Sequence, residues 1–265
     1  MSEGVFLRNR TTIAIITGGT QGLGLAIAKR LALEGARGIA ISGRNPDKGE
    51  SAAKSIRALG TDCLFVQADV SIADDCFRLV NAALEHFGTV NGLVNCAAAS
   101  DRGTLLDTSL ELWNRHFETN VRGPFLIMQG LVKHLVETGK PGSIVNTISM
   151  VAHCGQSYLT AYAASKGALA TLTKNVANAY AAKRIRCNGI LTGWMDTPGE
   201  SVTQKKFHGA SEDWLAKAEA AQPMGQLVKP DQVAGLAAYM LSPESGIMTG
   251  ALVDYDQNVA GAYPE

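Results

Sequence analysis

The stretch TIAIITGGTQGLG, residues 12–24, joins an apolar, β-branched run to three spaced glycines. Residues 12–16 are typical of a buried strand, and the glycines lead directly into a segment with helical spacing of its apolar residues. Gly18 permits a tight turn, Gly22 lets a phosphate approach the backbone, and Gly24 lets the helix pack against the strand. The stretch therefore predicts a strand–turn–helix unit suited to a phosphate-containing ligand, although an ordinary glycine-rich turn is an alternative.

Downstream of this unit, short apolar runs alternate with longer segments of helical periodicity. Near-continuous apolar strands separated by helices predict a parallel sheet that is buried on both faces. We therefore expect residues 1–265 to form one α/β domain, a doubly wound parallel sheet of about seven strands with helices on both faces. The irregular stretch 192–224 contains two tryptophans and is expected to form a helical lid over a site. The six further strands are expected at residues 38–42, 63–67, 92–95, 143–148, 186–191 and 251–255.

Local signals predict where several of the helices begin and end. One helix is expected to begin near Pro46, a favourable first-turn residue, and to stop at Gly60. Ser71 is expected to open the next helix, with Asp74 as its capping-box partner. A long helical region follows around residues 110–136, and residues 158–182 predict one long helix rich in alanine.

Composition excludes several classes of function. The 265 residues are 46% hydrophobic, and 24 basic residues balance 24 acidic ones, so nothing favours nucleic-acid or polybasic membrane binding. No apolar run reaches the roughly 18 residues of a membrane-spanning helix, and residues 1–10 lack a signal-peptide core. Five scattered cysteines and five histidines without metal-ligand spacing predict neither a disulfide framework nor a metal site. These features favour a cytoplasmic protein with reduced thiols.

The end of the second predicted strand indicates which dinucleotide would be bound. An acidic residue there would accept a hydrogen bond from the ribose 2′-hydroxyl of NAD. The sequence instead reads Ser42-Gly43-Arg44-Asn45, and Arg44 is suited to a 2′-phosphate unless it is only a solvated loop residue. Gln21 in the glycine turn is uncharged, so a second phosphate-binding cation is not evident. We expect NADP to be the cofactor, with NAD as the alternative.

Tyr162 and Lys166 lie four residues apart in the long predicted helix and so share one of its faces. A phenol with an ordinary pKa near 10 is a poor base at neutral pH. A nearby cation favours the phenolate, so we expect Lys166 to lower the pKa of Tyr162 and make it a usable acid and base. An amphipathic helix with a surface lysine is the alternative that this pair alone leaves open.

Taken together, these motifs resemble those of the short-chain dehydrogenase/reductase family, from Thr12 to about Asp256. That family combines a TGxxxGxG turn with YxxxK and places a serine thirteen residues before the tyrosine, as Ser149 stands before Tyr162 here. The resemblance implies a Rossmann-type fold, a nicotinamide dinucleotide, and hydride transfer between a secondary alcohol and a ketone. It also implies a homo-oligomer, either a dimer or a tetramer.

The resemblance implies a role for each residue that matches. Tyr162 exchanges a proton with the substrate oxygen, and Ser149 holds that oxygen. Lys166 binds the nicotinamide ribose, and Asn120 supports a chain of waters that carries protons to solvent. Asp69 would contact the adenine, and Thr197 the carboxamide of the nicotinamide. The full set of expected cofactor contacts is Gly18, Thr20, Gln21, Gly22, Leu23, Gly24, Arg44, Asp69, Val70, Asn95, Tyr162, Lys166 and Thr197. The expected substrate contacts are Ser149, His153, Gln156, Tyr162 and Trp194.

Three segments depart from the family pattern. Asn95-Cys96-Ala97-Ala98 stands where the family has NNAG, so a methyl group is added near the cofactor. Cys96 is expected to be a small buried residue rather than a nucleophile. Thr192-Gly193 replaces the family's Pro-Gly, and residues 255–258 replace its Val-Asp-Gly-Gly ending, so the tail 259–265 is expected to pack differently, across a subunit boundary.

The residues that follow Ser149 suggest the kind of substrate. His153 and Gln156 offer hydrogen bonds beyond the reacting carbon, which favours a sugar, a polyol or another small polar alcohol, unless they only satisfy the loop backbone. A 3-oxoacyl thioester reductase is the second hypothesis, and Arg102, Lys205 and Lys206 would be its basic docking patch. A non-catalytic nucleotide-binding protein is the third hypothesis, and it is disfavoured because it needs none of the three catalytic side chains.

Overall fold

The computed structural model describes residues 7–262, so the expectations for residues 1–10 and 259–265 lie partly outside the described residues. One parallel sheet runs through the described chain in the order β3-β2-β1-β4-β5-β6-β7, which confirms the predicted doubly wound architecture. Its strands are β1 Ile13–Thr17, β2 Gly38–Gly43, β3 Asp62–Gln67, β4 Gly92–Asn95, β5 Gly142–Thr147, β6 Ile185–Thr192 and β7 Leu252–Tyr255.

Helices cover both faces of this sheet and enclose two apolar cores. On one face, Ile27, Ile56 and Val233 lie in the same buried cluster as strand residues such as Ile16. On the other face, a second cluster joins Leu79, Leu131 and Val176 to Ile15. The helices are α1 Gly22–Leu33, α2 Pro46–Arg57, α3 Ala73–Phe87, α4 Leu110–Phe117, α5 Gly123–Thr138, α6 Val151–Cys154, α7 Thr160–Tyr180, α8 Pro198–His208, α9 Trp214–Ala220 and α10 Pro230–Leu241.

The strand order creates a crevice above the centre of the sheet. β1 pairs with β2 on one side and with β4 on the other, so the chain leaves β1 and β4 in opposite directions. Ligands of doubly wound proteins bind outside the carboxyl ends of the strands at such a switch point. The glycine turn that follows β1 lies at this point.

One local prediction is wrong, and the long helical region is confirmed with an interruption that was not predicted. The capping box of Ser71 and Asp74 does not form, because Asp69 Oδ1 accepts both the N–H and the hydroxyl of Ser71, and α3 begins only at Ala73. The predicted helical region 110–136 is divided into α4 and α5 by a π-helical turn at Glu118–Arg122. Such turns often occur at functional sites.

Residues 192–224, predicted to be a lid, contain α8 and α9. The two tryptophans of this segment lie near each other, with the ring centroids of Trp194 and Trp214 6.3 Å apart. Within residues 7–262, no helix combines the length and the apolarity needed to cross a membrane. No group of three or more His, Cys, Asp or Glu side chains in the same range could hold a metal ion.

Candidate active site

Gly18 and Gly24, in the turn between β1 and α1, are packed too closely to accept side chains. Gly18 has a φ of +65°, and a Cβ at this position would stand 3.0 Å from the backbone of Ala97. A Cβ on Gly24 would overlap the carbonyl oxygen of Gly18. Thr17 Oγ1 fixes the facing loop, because it accepts the N–H groups of Cys96 and Ala97 at 3.0 and 3.1 Å. The turn therefore leaves a shallow backbone cradle at the switch point.

The first turn of α1 keeps N–H groups available for a ligand. Gln21 is its N-cap residue, but the Gln21 side chain makes no hydrogen bond to the helix. That side chain is directed to α2, where its Oε1 accepts a hydrogen bond from Lys48 Nζ at 3.0 Å. Free N–H groups and the positive end of the helix dipole form a phosphate site, so the cradle fits the pyrophosphate of a dinucleotide.

A groove of about 340 Å³ extends from this cradle along the carboxyl edge of the sheet. Its volume lies within the range of small-molecule sites. Asn95 lies behind the lining: it is 2% exposed, and its Nδ2 donates to Asn146 Oδ1 at 2.8 Å. The predicted residues that line the groove are Gly18, Thr20, Gln21, Gly22, Leu23, Gly24, Arg44, Asp69, Val70 and Thr197, and the unpredicted ones include Ser42, Arg115 and Thr119.

Tyr162, Ser149 and Lys166 lie close together beside Cys96, a residue of the groove, although none of the three lines the groove itself. Lys166 is 2% exposed, and its Nζ donates to the carbonyl of Thr147 at 2.9 Å. The same Nζ lies 5.6 Å from the centroid of the Tyr162 ring. The Ser149 side chain lies close enough to the phenol to lower the pKa of Tyr162. Lys166 also lies close enough to Cys96, which lines the groove, to lower the pKa of that thiol against the rise caused by burial.

Burial sets the protonation of the two titratable groups. It raises the pKa of Tyr162 to about 12, although the Ser149 hydroxyl and the charge of Arg102 act in the opposite direction. It lowers the pKa of Lys166 to about 8. Burial outweighs the influences of Ser149 and Arg102, and the Lys166 ammonium donates to the Thr147 carbonyl, so the expected effect of Lys166 on the phenol stays a prediction. At neutral pH the phenol therefore holds its proton.

Asn120 lies in the π-helical turn and is completely buried. Its Oδ1 accepts the Ala99 N–H at 2.8 Å, and its Nδ2 donates to the Ala99 carbonyl and to Ser165 Oγ, both at 2.9 Å. The side chain thus joins the loop after β4 to α7, next to Lys166. Its role in a water chain stays a prediction.

The predicted substrate contacts already have protein partners. His153 Nε2 lies 2.8 Å from Asp254 Oδ1, and Gln156 Nε2 donates to the Tyr158 hydroxyl. Trp194 Nε1 donates to Glu200 Oε1 at 2.8 Å, at the start of α8. Their contact with a substrate stays a prediction.

Two residues near the phenol were not predicted to lie there, and one of them, Arg102, was predicted only as a docking cation. Arg102 lies with its guanidinium 5.7 Å from the Tyr158 ring centroid and 3.5 Å from Glu200, and its charge acts on Tyr162. His116 is fully buried, with its ring centroid 6.2 Å from that of Tyr162 in an edge-on arrangement. Its spacing of four residues from Asn120 could have placed it on the same buried face, whereas nothing in the sequence distinguishes Arg102 from other loop arginines.

Comparison with known proteins agrees with this geometry. Residues 18–257 match the family profile described as Enoyl-(Acyl carrier protein) reductase. The chain belongs to the short-chain dehydrogenase/reductase family, whose members are oxidoreductases that use a nicotinamide dinucleotide.

Individual relatives resemble the chain over nearly its whole length. It is 36% identical to an NADP-dependent (R)-specific alcohol dehydrogenase of Lentilactobacillus kefiri, covering 92% of this chain and 94% of that one. It is 34% identical to a (3R)-3-hydroxyacyl-CoA dehydrogenase of Mus musculus, covering 94% and 96%. The crystal structure of a single-residue variant of actinorhodin polyketide ketoreductase with NADPH superposes with a TM-score of 0.86 at 30% identity, covering 92% and 95%.

Proposed function

We propose that the protein interconverts a secondary alcohol and a ketone with NADP as cofactor, and that its natural substrate is a small polar molecule. The observation that carries this proposal is the proximity of Tyr162, Ser149 and Lys166 to one another and to Cys96, in a groove that begins at a phosphate cradle. A protein that only bound a nucleotide would need the cradle but none of these three side chains.

A dinucleotide held in the groove would supply or accept the hydride at the reacting carbon. During reduction, the Tyr162 phenol gives its proton to the carbonyl oxygen, and the raised pKa ensures that this proton is present. Ser149 hydrogen-bonds the same oxygen and keeps it near the phenol. Lys166, still mostly cationic at pH 7, stabilises the phenolate left behind and offers its remaining N–H groups to the ribose.

The preference for NADP is supported by the end of β2. Arg44 lines the groove there, and Ser42, Gly43 and Asn45 supply no carboxylate for a ribose 2′-hydroxyl. The related alcohol dehydrogenase is NADP-dependent, and the related ketoreductase structure contains NADPH.

A small alcohol is favoured over a carrier-bound thioester by the charges around the lid. The three candidate docking cations each lie near a carboxylate: Arg102 near Glu200, Lys205 near Glu212, and Lys206 near Asp101. Such pairs leave little free positive charge to attract an acidic carrier. The thioester reductase remains the second candidate, because the mouse relative is a hydroxyacyl-CoA dehydrogenase.

A panel of polyols, hydroxysteroids and β-keto thioesters, each assayed with both cofactors, tests the substrate class. We expect turnover of polyols or other small polar alcohols with NADP. Turnover confined to thioesters would favour the second candidate and overturn the polyol proposal.

We also propose that the protein is a cytoplasmic homo-oligomer, a dimer or a tetramer. Leu110 and Trp113 of α4 and Phe125 of α5 are 71%, 37% and 42% exposed, and burial of such side chains between copies is favourable. All five cysteines are free, as is usual in a reducing compartment. Light scattering should give two or four times the chain mass, and a monomer would contradict the proposal.

Replacement of Tyr162 by Phe tests the proposed chemistry. This change removes the proton donor and keeps the ring, so we expect kcat to fall by a factor of about 10³. Binding of NADPH, measured by its fluorescence, should stay within about twofold, because the cradle is formed by other residues. Normal turnover in this variant would show that another group is the acid.

A further inference from the structure

A second cation contacts the glycine turn, although the turn itself carries none and this cation does not line the groove. Lys48, in the first turn of α2, donates a hydrogen bond from Nζ to Gln21 Oε1 at 3.0 Å. Gln21 is the position in the turn where the sequence lacks a positive charge, and its side chain makes no hydrogen bond to α1. An ammonium has three N–H donors, so two remain for a ligand.

The backbone that carries Arg44 and Lys48 is fixed. The Lys48 N–H donates to the Asn45 side chain at 2.9 Å, which caps α2, and Pro46 occupies its first turn. Gln67 Nε2 donates to the Arg44 carbonyl at 3.1 Å. Both cations therefore extend from anchored positions on one side of the groove.

Helix stability does not explain a lysine at this place. The N-terminus of a helix carries partial positive charge, so a cation in the first turn is electrostatically unfavourable. The adjacent Asp47 is the kind of residue that this position favours. With an anion bound beside it, the charge of Lys48 would be electrostatically favourable at this helix terminus instead of unfavourable.

A buried hydroxyl beside these cations independently indicates a ligand. Ser42 is 1% exposed, lines the groove, and its Oγ has no hydrogen-bond partner among the described residues. The Gly19 N–H donates to the Ser42 carbonyl at 3.1 Å, which joins the glycine turn to the end of β2. A buried hydroxyl without a partner is costly, and a polar ligand would satisfy it. Asp69, the carboxylate that lines the same groove, is engaged by Ser71 through Oδ1.

We infer that Lys48, held by Gln21, binds the 2′-phosphate of the cofactor together with Arg44 and so determines the preference for the phosphorylated dinucleotide. This inference rests on the proposed function, since it assigns a residue to the recognition of NADP. A phosphate between two cations receives charge-assisted hydrogen bonds from both, whereas a ribose 2′-hydroxyl gains little from either.

The test compares two ligands that lack nicotinamide and therefore cannot react: 2′-phospho-ADP-ribose and ADP-ribose, by calorimetry. Lys48→Gln should weaken binding of the phosphorylated ligand about tenfold, which is about 1.4 kcal/mol, and change ADP-ribose binding by less than about twofold. Lys54→Gln is the matched control, because it removes the same charge from an exposed position further along α2. It should leave both dissociation constants within about twofold. Lys48→Arg should restore the preference.

The outcomes separate the inference from the proposed function. If the unmodified protein prefers the phosphorylated ligand and Lys48→Gln keeps the same ratio, the inference is overturned while the NADP preference stands. If the unmodified protein binds both ligands equally, the NADP preference fails, and the inference fails with it. A melting temperature of Lys48→Gln within about 2 °C of the unmodified protein shows that any loss is not a folding defect.

Discussion

At the scale of single residues, burial shifts the pKa values of Lys166 and Tyr162 in opposite directions. Burial lowers the pKa of Lys166 to about 8, so its charge is present below that pH and disappears above it. Burial raises the pKa of Tyr162 to about 12, so the phenolate forms only with help from a nearby cation. In the proposed reaction the phenolate therefore depends on the charge of Lys166, although the two groups do not share a hydrogen bond.

This dependence predicts the pH profile of ketone reduction. The value of kcat/KM reports groups of the free enzyme, and it should fall as pH rises through about 8, because Lys166 loses its proton there. Above about pH 8, kcat/KM should approach a tenfold decrease per pH unit, as expected for the loss of one proton. A flat profile between about pH 7 and 10 would contradict the assignment of this charge to the reaction.

Ser149, Tyr162 and Lys166 could be assigned from the sequence because their spacing is fixed by local structure. Tyr162 and Lys166 are one helical turn apart, and Ser149 follows β5 closely. The sign of the phenol's pKa shift could not be predicted in the same way, since it depends on burial by residues distant in the chain. The proximity of Arg102 to the phenol also could not be predicted, because it depends on hydrogen bonds of Gly103 with Tyr158 and Thr160, which are distant in the chain.

At the scale of the elements, strands were predicted more accurately than helix boundaries. The predicted bounds of β4, Gly92–Asn95, match the structure, because a short apolar run between polar residues has few alternatives. The division between α4 and α5 was missed, because the π-helical turn at Glu118–Arg122 is held by contacts of Asn120 with Ala99. Such long-range contacts leave no periodic signal in the sequence.

The packing of α1 against α10 depends on one buried carboxylate. Glu34, just after α1, is 3% exposed and accepts hydrogen bonds from Arg8 and Asn9. These two residues also donate to the carbonyls of Gly235 and Ala238 in α10. Burial alone would raise the pKa of Glu34, but hydrogen bonds from Arg8, Arg30 and Asn9 hold it below its ordinary value.

Replacement of Glu34 by Gln should therefore lower the free energy of unfolding by about 2–4 kcal/mol, because Arg8 loses its buried partner. Chemical denaturation at pH 7 measures this loss. The matched control is Glu137→Gln, whose exposed carboxylate lies 3.9 Å from Lys133 and should contribute no more than about 0.5 kcal/mol.

The unmodified protein and Glu34→Gln also allow a test of how the contribution of Glu34 to stability changes with pH. Since the folded pKa of Glu34 lies below its ordinary value of 4.5, its contribution is fully present above that pH and is lost as pH falls through the folded value. The difference between the unmodified protein and Glu34→Gln should narrow below about pH 4. A difference that stays constant down to about pH 3 would show that Glu34 acts only through packing.

At the scale of the whole molecule, cofactor binding joins the two halves of the sheet. The groove is lined by residues that follow β1, β2, β3 and β4, and by Thr197 at the start of α8. A ligand along this groove contacts segments that otherwise meet only through the sheet. Binding should therefore stabilise the entire fold and not only the glycine turn.

This coupling predicts a thermal shift that ranks the two cofactors. At a concentration of about 100 times its Kd, NADPH adds about 2.7 kcal/mol, which corresponds to a rise in Tm of about 5–10 °C for a chain of this size. NADH at the same concentration should give a rise smaller by about 3–5 °C if it binds about tenfold more weakly. Arg44→Gln should narrow the difference between the NADPH and NADH shifts and leave the NADH shift nearly unchanged, because only the 2′-phosphate needs the guanidinium. Equal shifts in the unmodified protein, or a larger one with NADH, would show that the end of β2 recognises the unphosphorylated ribose.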